Sequence, residues 1–465
     1  MPSSDEGATA PLFAVCNTDI NEPTDGTDPG SAADNVITLP HAGTRTQVPP
    51  ALDSVLANAL RAEQAAGVLA VLRLGEYRLL KEVFGYALAR ELLVQIVRRL
   101  GTVLRAGDLL VPLDDDEFVI LIGGVSTAQA AVQVMERLLT SCRGVYDLRH
   151  RRVQAHPRLG IARFPGDGTD PAELLHRARI ALHETGTAHA VPYRFFSLDL
   201  YAQVHERVWL AAELEGTVDE GRLELHYQPV FAMDSQRTVG AEALLRLRST
   251  SGELVAPERF IPLAEELGLI VPIGAWVLRK ACRQLARWRR VDLGTLRMAV
   301  NVSPHQLADP CFAATVDAAV TGAGIAYEDL ELEITESAAV DRFALIERSF
   351  AALRDKGVHI ALDDFGTGFS ALANLACLPV GIVKIDRAFL RNVPEDERAK
   401  RIVSAVIAMT RELGMETVAE GVENEAQFRF LAAAGCRLGQ GFGYAKPQMA
   451  RNFPHACRST PPWAA

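Results

Sequence analysis

Seven short apolar runs recur across the second half of the chain, near 223–230, 239–245, 297–302, 329–334, 358–363, 381–386 and 416–419, with helical segments between them. Strands that keep returning after helices have few packing solutions, because each must bury its apolar side chains between layers. Seven or so strands over about 240 residues suit a closed (β/α) barrel. An open doubly wound sheet usually shows a Gly-rich phosphate loop after its first strand, and none occurs there. The polar residues narrow the reading further. Glu242 lies in GAEALLRLR, Asn301 ends MAVN, Glu333 sits in LELEITES, Asp363 and Asp364 end IALDD, Lys384 is in IVKID, and Glu420 ends TVAE. The strand carboxyl ends of such a barrel open on one mouth, so residues far apart in sequence would meet in one site.

Carboxylates gathered without compensation repel one another and raise their pKa values, a conflict that divalent cations remove. All-oxygen donors, with one Asn carbonyl among carboxylates, favour hard ions such as Mg²⁺ or Mn²⁺ over zinc. Adjacent carboxylates such as Asp363 and Asp364 can serve two ions, and paired metals about 3.5–4 Å apart are a recurring device for hydrolysing phosphodiesters. Lys384 would then orient the attacking water or neutralise developing charge. A lone strand-end Asp usually caps a helix or faces solvent, but six such positions on separate strands do not arise that way. Glu242 and Arg246 are four apart in one strand and project to the same face, so Arg246 can clamp a phosphate or bridge to a Glu. Gln228 in YQP and Gln440 in GQGF lie at the two ends of the domain, where a barrel joins its first and last strands. The loop Asp363–Ser370 carries two glycines in DDFGTGFS and can adopt unusual backbone angles.

Elsewhere the chain is ordinary. It has 48 Lys and Arg against 58 Asp and Glu, a net charge of −10, the wrong sign for holding long nucleic acid. No apolar stretch approaches the roughly 18–20 residues that cross a bilayer, and the amino terminus lacks a basic segment followed by a hydrophobic core. The expectation is a cytoplasmic protein without membrane insertion. The 7 cysteines never form a CxxC pair, which suits a reducing compartment. Residues 1–50 hold Asp5, Glu6, Asp19, Glu22, Asp25, Asp28 and Asp34 against Arg45 alone, and read as a disordered acidic tail. From Leu52 to Leu198, strand-like runs (Val68–Leu72, Glu117–Ile122) alternate with helical ones (Tyr86–Leu104, Ala128–Leu139, Pro171–His183), an α/β pattern.

YQPV, GAEALLRLR, FIPLAEELGLIVPIG, AVNVSP, LELEITES, ALDDFGTGFS, VKIDRAF, VAEGVE and GQGF together resemble the EAL family of cyclic di-GMP phosphodiesterases, whose signature falls on Glu242-Ala243-Leu244. The resemblance covers about 220–447. It implies a TIM-type barrel with one antiparallel strand and hydrolysis of cyclic di-GMP to linear pGpG. By position, two ions would be held by Glu242, Asn301, Glu333, Asp363, Asp364 and Glu420. Lys384, Glu420 and Gln440 would act on the water, Gln228 and Arg246 would hold substrate, and Glu336 would anchor the loop containing Asp364. No family position departs among these. The rival expectation is a non-catalytic receptor that binds the dinucleotide and signals through protein partners.

Residues 55–198 resemble the GGDEF domain of diguanylate cyclases through FGYALARELLVQIVRRL, RAGD, DDDEF with VILI, LGIARFPGDGTD and LLHRARIALHE. Here the chemistry is worn away. Asp114-Asp115 replace the signature glycines, although Asp116-Glu117-Phe118 remain. The Mg²⁺-binding Asp falls on Arg73, the guanine-binding Asn on Lys81, and the late phosphate-contacting lysine on Gly186. A bifunctional cyclase is disfavoured on these grounds. Arg105 and Asp108 match the family's inhibitory product-binding pair, with a structural salt bridge as the alternative. The expected organisation is a tail over 1–50, a degenerate GGDEF domain over 51–198 in a regulatory or dimerising role, a linker helix over 199–219, and the EAL barrel over 220–458. A homodimer through the barrel is compatible with the family.

Overall fold

The computed structural model describes residues 57, 60, 66–105, 107–149, 151–185, 191–291, 293–336, 350–366 and 378–458. The acidic tail 1–50, Gly186 and the 367–370 part of the glycine-bearing loop lie outside them. The chain divides into two compact units between Glu206 and Arg207. That division falls inside the helix Leu198–Leu214, within the stretch read as a linker helix.

The first unit holds β1 (Gly67–Leu74), β2 (Leu109–Pro112), β3 (Glu117–Gly123), β4 (Gly144–Leu148), β5 (Arg151–Ala155), β6 (Pro157–Phe164) and β7 (Tyr193–Phe195). Five of these form a sheet in the order β2-β3-β1-β6-β7, with β4 and β5 a separate hairpin. β1 is antiparallel to both neighbours, β3 and β6. Its sequence, GVLAVLRL, is continuously apolar up to Arg73 because both faces are covered. Val68, Ala70, Leu72 and Leu74 pack beneath the helices Tyr86–Gly101 and Ala128–Cys142, while Leu69 and Val71 meet Leu174, Ala178 and Leu182 of the helix Pro171–His183. The first of these helices stops at Gly101, short of the expected Leu104.

The second unit holds β8 (Leu223–Ala232), β9 (Thr238–Arg248), β10 (Leu254–Val255), β11 (Arg297–Asn301), β12 (Leu330–Thr335), β13 (His359–Phe365), β14 (Ile382–Ile385), β15 (Glu416–Ala419), β16 (Leu438–Gly439) and β17 (Gln448–Met449). Strand β9 is followed around the sheet by β11 through β16 and then β8, which pairs back onto β9 and closes a barrel. Seven strands of that circuit run parallel; β8 is antiparallel to β9 and β16. Leu332, Leu362 and Val383 point outward into a core shared with Val277, Leu278 and Ala281 of the helix Ile270–Arg289. Their alternates Ala361 and Ile382 meet Val230 and Val418 inside the barrel. The closing strand, β16, is two residues long and escapes a reading based on apolar runs, because two residues carry no periodicity. Among the described residues no helix is long and apolar enough to cross a membrane.

Beyond β16 the backbone turns tightly against the chain that leaves β15. Val422 donates its N–H to the Gln440 carbonyl at 3.0 Å, and a Cβ at Gly441 would lie 2.2 Å from the Val422 carbonyl oxygen. Gly441→Ala therefore forces these strand ends apart, at about 1–3 kcal/mol. The expected result is a lower melting temperature together with weaker function, since Gln440 is the adjacent residue; an unchanged melting temperature would contradict this packing.

Candidate functional site

Strand register brings the polar residues of the barrel to one end. Asn301 lies beside Glu333, Glu242 beside Gln228, and Thr335 beside Asp363 across neighbouring strands. The Glu420 N–H bonds the Ile385 carbonyl, and the Gln440 N–H bonds the Ala419 carbonyl, so both residues extend the ladder just past β15 and β16. At the centre stands Lys384, 2% exposed. Its Nζ lies 2.7 Å from Glu333 Oε1, 2.7 Å from Glu420 Oε1, 3.2 Å from Asp363 Oδ1 and 3.6 Å from Glu242 Oε2.

The amides complete the inner ring. Asn301 Nδ2 donates to Glu242 Oε1 at 2.8 Å, and Gln440 Nε2 donates to Glu242 Oε2 at 2.6 Å and to Gln228 Oε1 at 3.1 Å. Gln228 Nε2 in turn donates to the Ala445 carbonyl at 3.1 Å. Glu242 thus has both oxygens engaged and is read as ionised: burial opposes the charge, but Lys384, Gln440 and Asn301 hold its pKa below the ordinary range. Its neighbour Glu333 is pushed well above that range, by burial first and then by Glu242. Lys384 stays charged despite burial, because Asp363, Glu242, Glu333 and Glu420 surround it.

Asp363 and Asp364 are consecutive, and a regular strand would send them to opposite faces. Between Leu362 and Phe365 the pairing of β13 with β14 slips, and Asp364 takes a left-handed φ of 54°. This irregularity re-aims the second carboxylate, a known use of a bulge beside a site. One carboxylate oxygen from each of Asp363, Asp364 and Glu420 then lies within 4.8 Å of the others. The Asp364 N–H donates to Asp363 Oδ1 at 3.0 Å. Just beyond, the Gly366 N–H donates to Glu336 Oε2 at 2.7 Å, which ties the turn after Asp364 to the end of β12.

Arg246 is half-buried, with Nη1 donating to the Leu245 carbonyl at 2.7 Å. Burial lowers its pKa, Glu258 and Glu242 oppose that shift, and no salt bridge joins it to another described residue. In the first unit, Arg105 and Asp108 meet through the backbone: the Arg105 N–H donates to Asp108 Oδ2 at 2.7 Å, and the Asp108 N–H to the Arg105 carbonyl at 3.1 Å. The Arg105 charge also acts on the Asp108 carboxylate, against the larger upward push of burial.

Sequence reasoning passed over Glu331, Glu416 and Arg297. Glu331 precedes Glu333 by two and so faces the same interior, a signal that the alternation in LELEIT carries. Arg297 Nη1 reaches Glu331 Oε2 at 3.3 Å and Glu416 Oε2 at 3.0 Å. A cavity of about 320 Å³ is lined by this trio and by Glu333, Lys384 and Gln440. The carboxylate cluster therefore adjoins a cavity of mixed polar and apolar lining.

Comparison with known proteins matches the EAL domain family over residues 211–447 and the diguanylate cyclase GGDEF domain family over residues 41–190. The bifunctional diguanylate cyclase/cyclic di-GMP phosphodiesterase MucR of Pseudomonas aeruginosa is 35% identical over 423 residues, covering 90% of this chain and 61% of that protein. The cyclic di-GMP phosphodiesterase NbdA of Pseudomonas aeruginosa is 34% identical over 81% of this chain and 48% of its own length, and PdeR of Escherichia coli 30% over 82% and 57%. The chain spans about half to three-fifths of the length of these curated relatives. The PaMucR phosphodiesterase in complex with c-di-GMP aligns with a TM-score of 0.50 and 40% identity, over 52% of this chain and 99% of that one.

The electrostatics make a prediction for pH. Burial, with Asp363 and Glu242 adding, pushes the Glu420 carboxyl from 4.5 up to about 8, against the pull of Lys384. The folded chain holds that proton more tightly than the unfolded one, so its stabilising contribution is full below about 4.5 and is lost as pH rises through about 8. A cation bound at the cluster replaces the lost proton. Saturating Mn²⁺ should therefore raise the melting temperature more at about pH 8.5 than at about pH 6. An equal gain at both pH values would show that Glu420 does not face the cation.

Proposed function

Because the chain belongs to the EAL family, with a GGDEF domain ahead of the barrel, we propose that the barrel is a metal-dependent phosphodiesterase that opens one phosphodiester bond of cyclic di-GMP to give linear pGpG. The observation that carries this reading is the convergence of Glu242, Glu333, Asp363 and Glu420 from different parts of the barrel onto the single ammonium of Lys384, with Asp364 clustered beside Asp363 and Glu420. One positive charge does not balance so many carboxylates, and burial, with the neighbouring carboxylates adding to it, raises the pKa values of Glu333, Asp364 and Glu420.

The donor set fits two Mg²⁺ or Mn²⁺ ions: oxygen throughout, with Asn301 as the neutral member and Glu242, Glu333, Asp363, Asp364 and Glu420 as the anions. When bound, such ions acidify water and stabilise charge on a phosphate. The protein's own groups do the rest. Lys384 Nζ, fixed by its carboxylate neighbours, aligns the attacking water and offsets charge as the phosphorus becomes five-coordinate. Gln440 and Gln228, hydrogen-bonded to each other, orient water and substrate at the seam between β8 and β16. Arg246, with no carboxylate partner among the described residues, supplies a planar fork for a phosphate. Glu336 holds the turn after Asp364 and so the angle at which that carboxylate enters the site.

The first domain is read as unable to condense GTP. Two carboxylates at Asp114 and Asp115 bring bulk and negative charge to a turn where glycines would let a triphosphate approach. Its role is then regulatory or dimerising, and cyclic di-GMP is the small-molecule substrate of the barrel.

Purified protein incubated with cyclic di-GMP and Mg²⁺ or Mn²⁺ should release pGpG, seen by chromatography, and exhaustive chelation should stop the reaction. Binding without turnover would instead favour a receptor. Glu242→Ala should lower turnover by about a hundredfold or more while circular dichroism stays that of the parent, because it removes an anion from the cation-binding ring. A folded variant with near-parental activity would remove Glu242 from the site. Incubation with GTP and Mg²⁺ should yield no cyclic di-GMP.

A further inference from the structure

Four consecutive acids, Asp114 to Glu117, crowd the tip of the hairpin formed by β2 and β3. The domain's own cations answer them. Arg73 stands directly opposite Glu117 in the register of β1 with β3, and its Nε donates to Glu117 Oε1 at 2.9 Å, joined by its Nη2 on the same oxygen. Arg179, on the helix Pro171–His183, takes the other oxygen, with Nη2 at 2.9 Å and Nε at 3.2 Å from Oε2. Glu117 is 5% exposed, so both of its oxygens are consumed inside the fold. Lys81, on the helix Tyr77–Phe84, places Nζ 2.6 Å from Asp115 Oδ2. The backbone joins in: the Leu74 N–H bonds the Asp116 carbonyl at 3.1 Å, and the Leu113 N–H bonds the Glu117 carbonyl at 2.8 Å.

We propose that this tip is an ion-pair clamp, in which Arg73, Arg179 and Lys81 do for Asp115 and Glu117 what a bound cation would otherwise do, leaving the hairpin indifferent to divalent ions and to guanine nucleotides. The argument is one of displacement. A metal ion approaching Glu117 must first strip two arginines from a buried carboxylate, and then leaves both guanidinium groups without their partner. A triphosphate approaching the tip meets Asp114, Asp115 and Asp116 while Arg73, Arg179 and Lys81 are already engaged. The cations and acids also form a matched set: a cation at 73 faces an acid at 117, and a cation at 81 faces an acid at 115. The clamp ties β1, the hairpin and two helices into one rigid corner. Any signal this domain passes on enters through another part of it.

Hydrogen exchange on the full chain reads the tip locally, apart from cation binding by the barrel. Peptides covering 109–123 should exchange at the same rate with and without excess GTP and Mg²⁺. Slower exchange there on adding GTP and Mg²⁺ overturns the proposal. Lys81→Glu should speed exchange in the same peptides severalfold, and adding Asp115→Lys to it should restore the parental rate, since the swapped pair re-forms with opposite polarity. If Lys81→Glu leaves the rate unchanged, or the double variant exchanges as fast as the single, the pairing is not a clamp. Barrel peptides in the same experiment report separately on cyclic di-GMP, so failure at the tip and failure of the phosphodiesterase reading are told apart.

Discussion

A buried ammonium among carboxylates governs the second unit. Lys384 is 2% exposed and meets four carboxylates within 3.6 Å, an arrangement that neither partner could sustain alone. Without the lysine, the acids would have to take up protons; without the acids, a charged amine would be expelled from the barrel or neutralised. The lysine does not complete the balance. Burial, with the neighbouring carboxylates adding to it, still shifts Glu333 and Glu420 upward despite the lysine's pull.

Everything that positions this cluster is rigid except at one point. Glu242, Glu333, Asp363 and Lys384 stand on strands whose neighbours are hydrogen-bonded on both sides. Asp364 is held differently, at a slipped register with a left-handed backbone, braced by Asp363 and by the contact of Glu336 with Gly366. Strained conformations of this kind persist only where their surroundings over-determine them. The carboxylate that depends most on its braces also belongs to the glycine-bearing stretch Asp363–Ser370.

The two units handle crowded acids in opposite ways. The barrel gathers four carboxylates around one lysine ammonium, with Asp364 beside them. The hairpin tip of the first unit pairs Glu117 and Asp115 with Arg73, Arg179 and Lys81, and has no comparable surplus at those two acids. The same residue types thus give a site in one place and a clamp in the other, and the difference is the number of cations the surrounding strands and helices supply.

Much of this was legible in the sequence. The recurring apolar runs marked seven barrel strands, and the acids at their ends marked a shared site, because alternation and strand direction are local properties that a chain writes into its order of residues. Glu331 was legible too, through its spacing from Glu333, though it drew no notice. Other features had no local signature. The two-residue strand β16 exists only because β8 and β15 offer it hydrogen bonds on both sides. Asp363 and Asp364 share a cluster only because the register slips between them, which depends on the neighbouring strand. Arg105 and Asp108 stand three apart in sequence, and folding joins them through backbone hydrogen bonds that spacing alone does not show. Arg73 reads as a lost ligand until β3 places Glu117 across from it. In each case the deciding interaction joins residues brought together by folding, so composition and spacing determined which side chains were available, and tertiary packing alone decided which of them met.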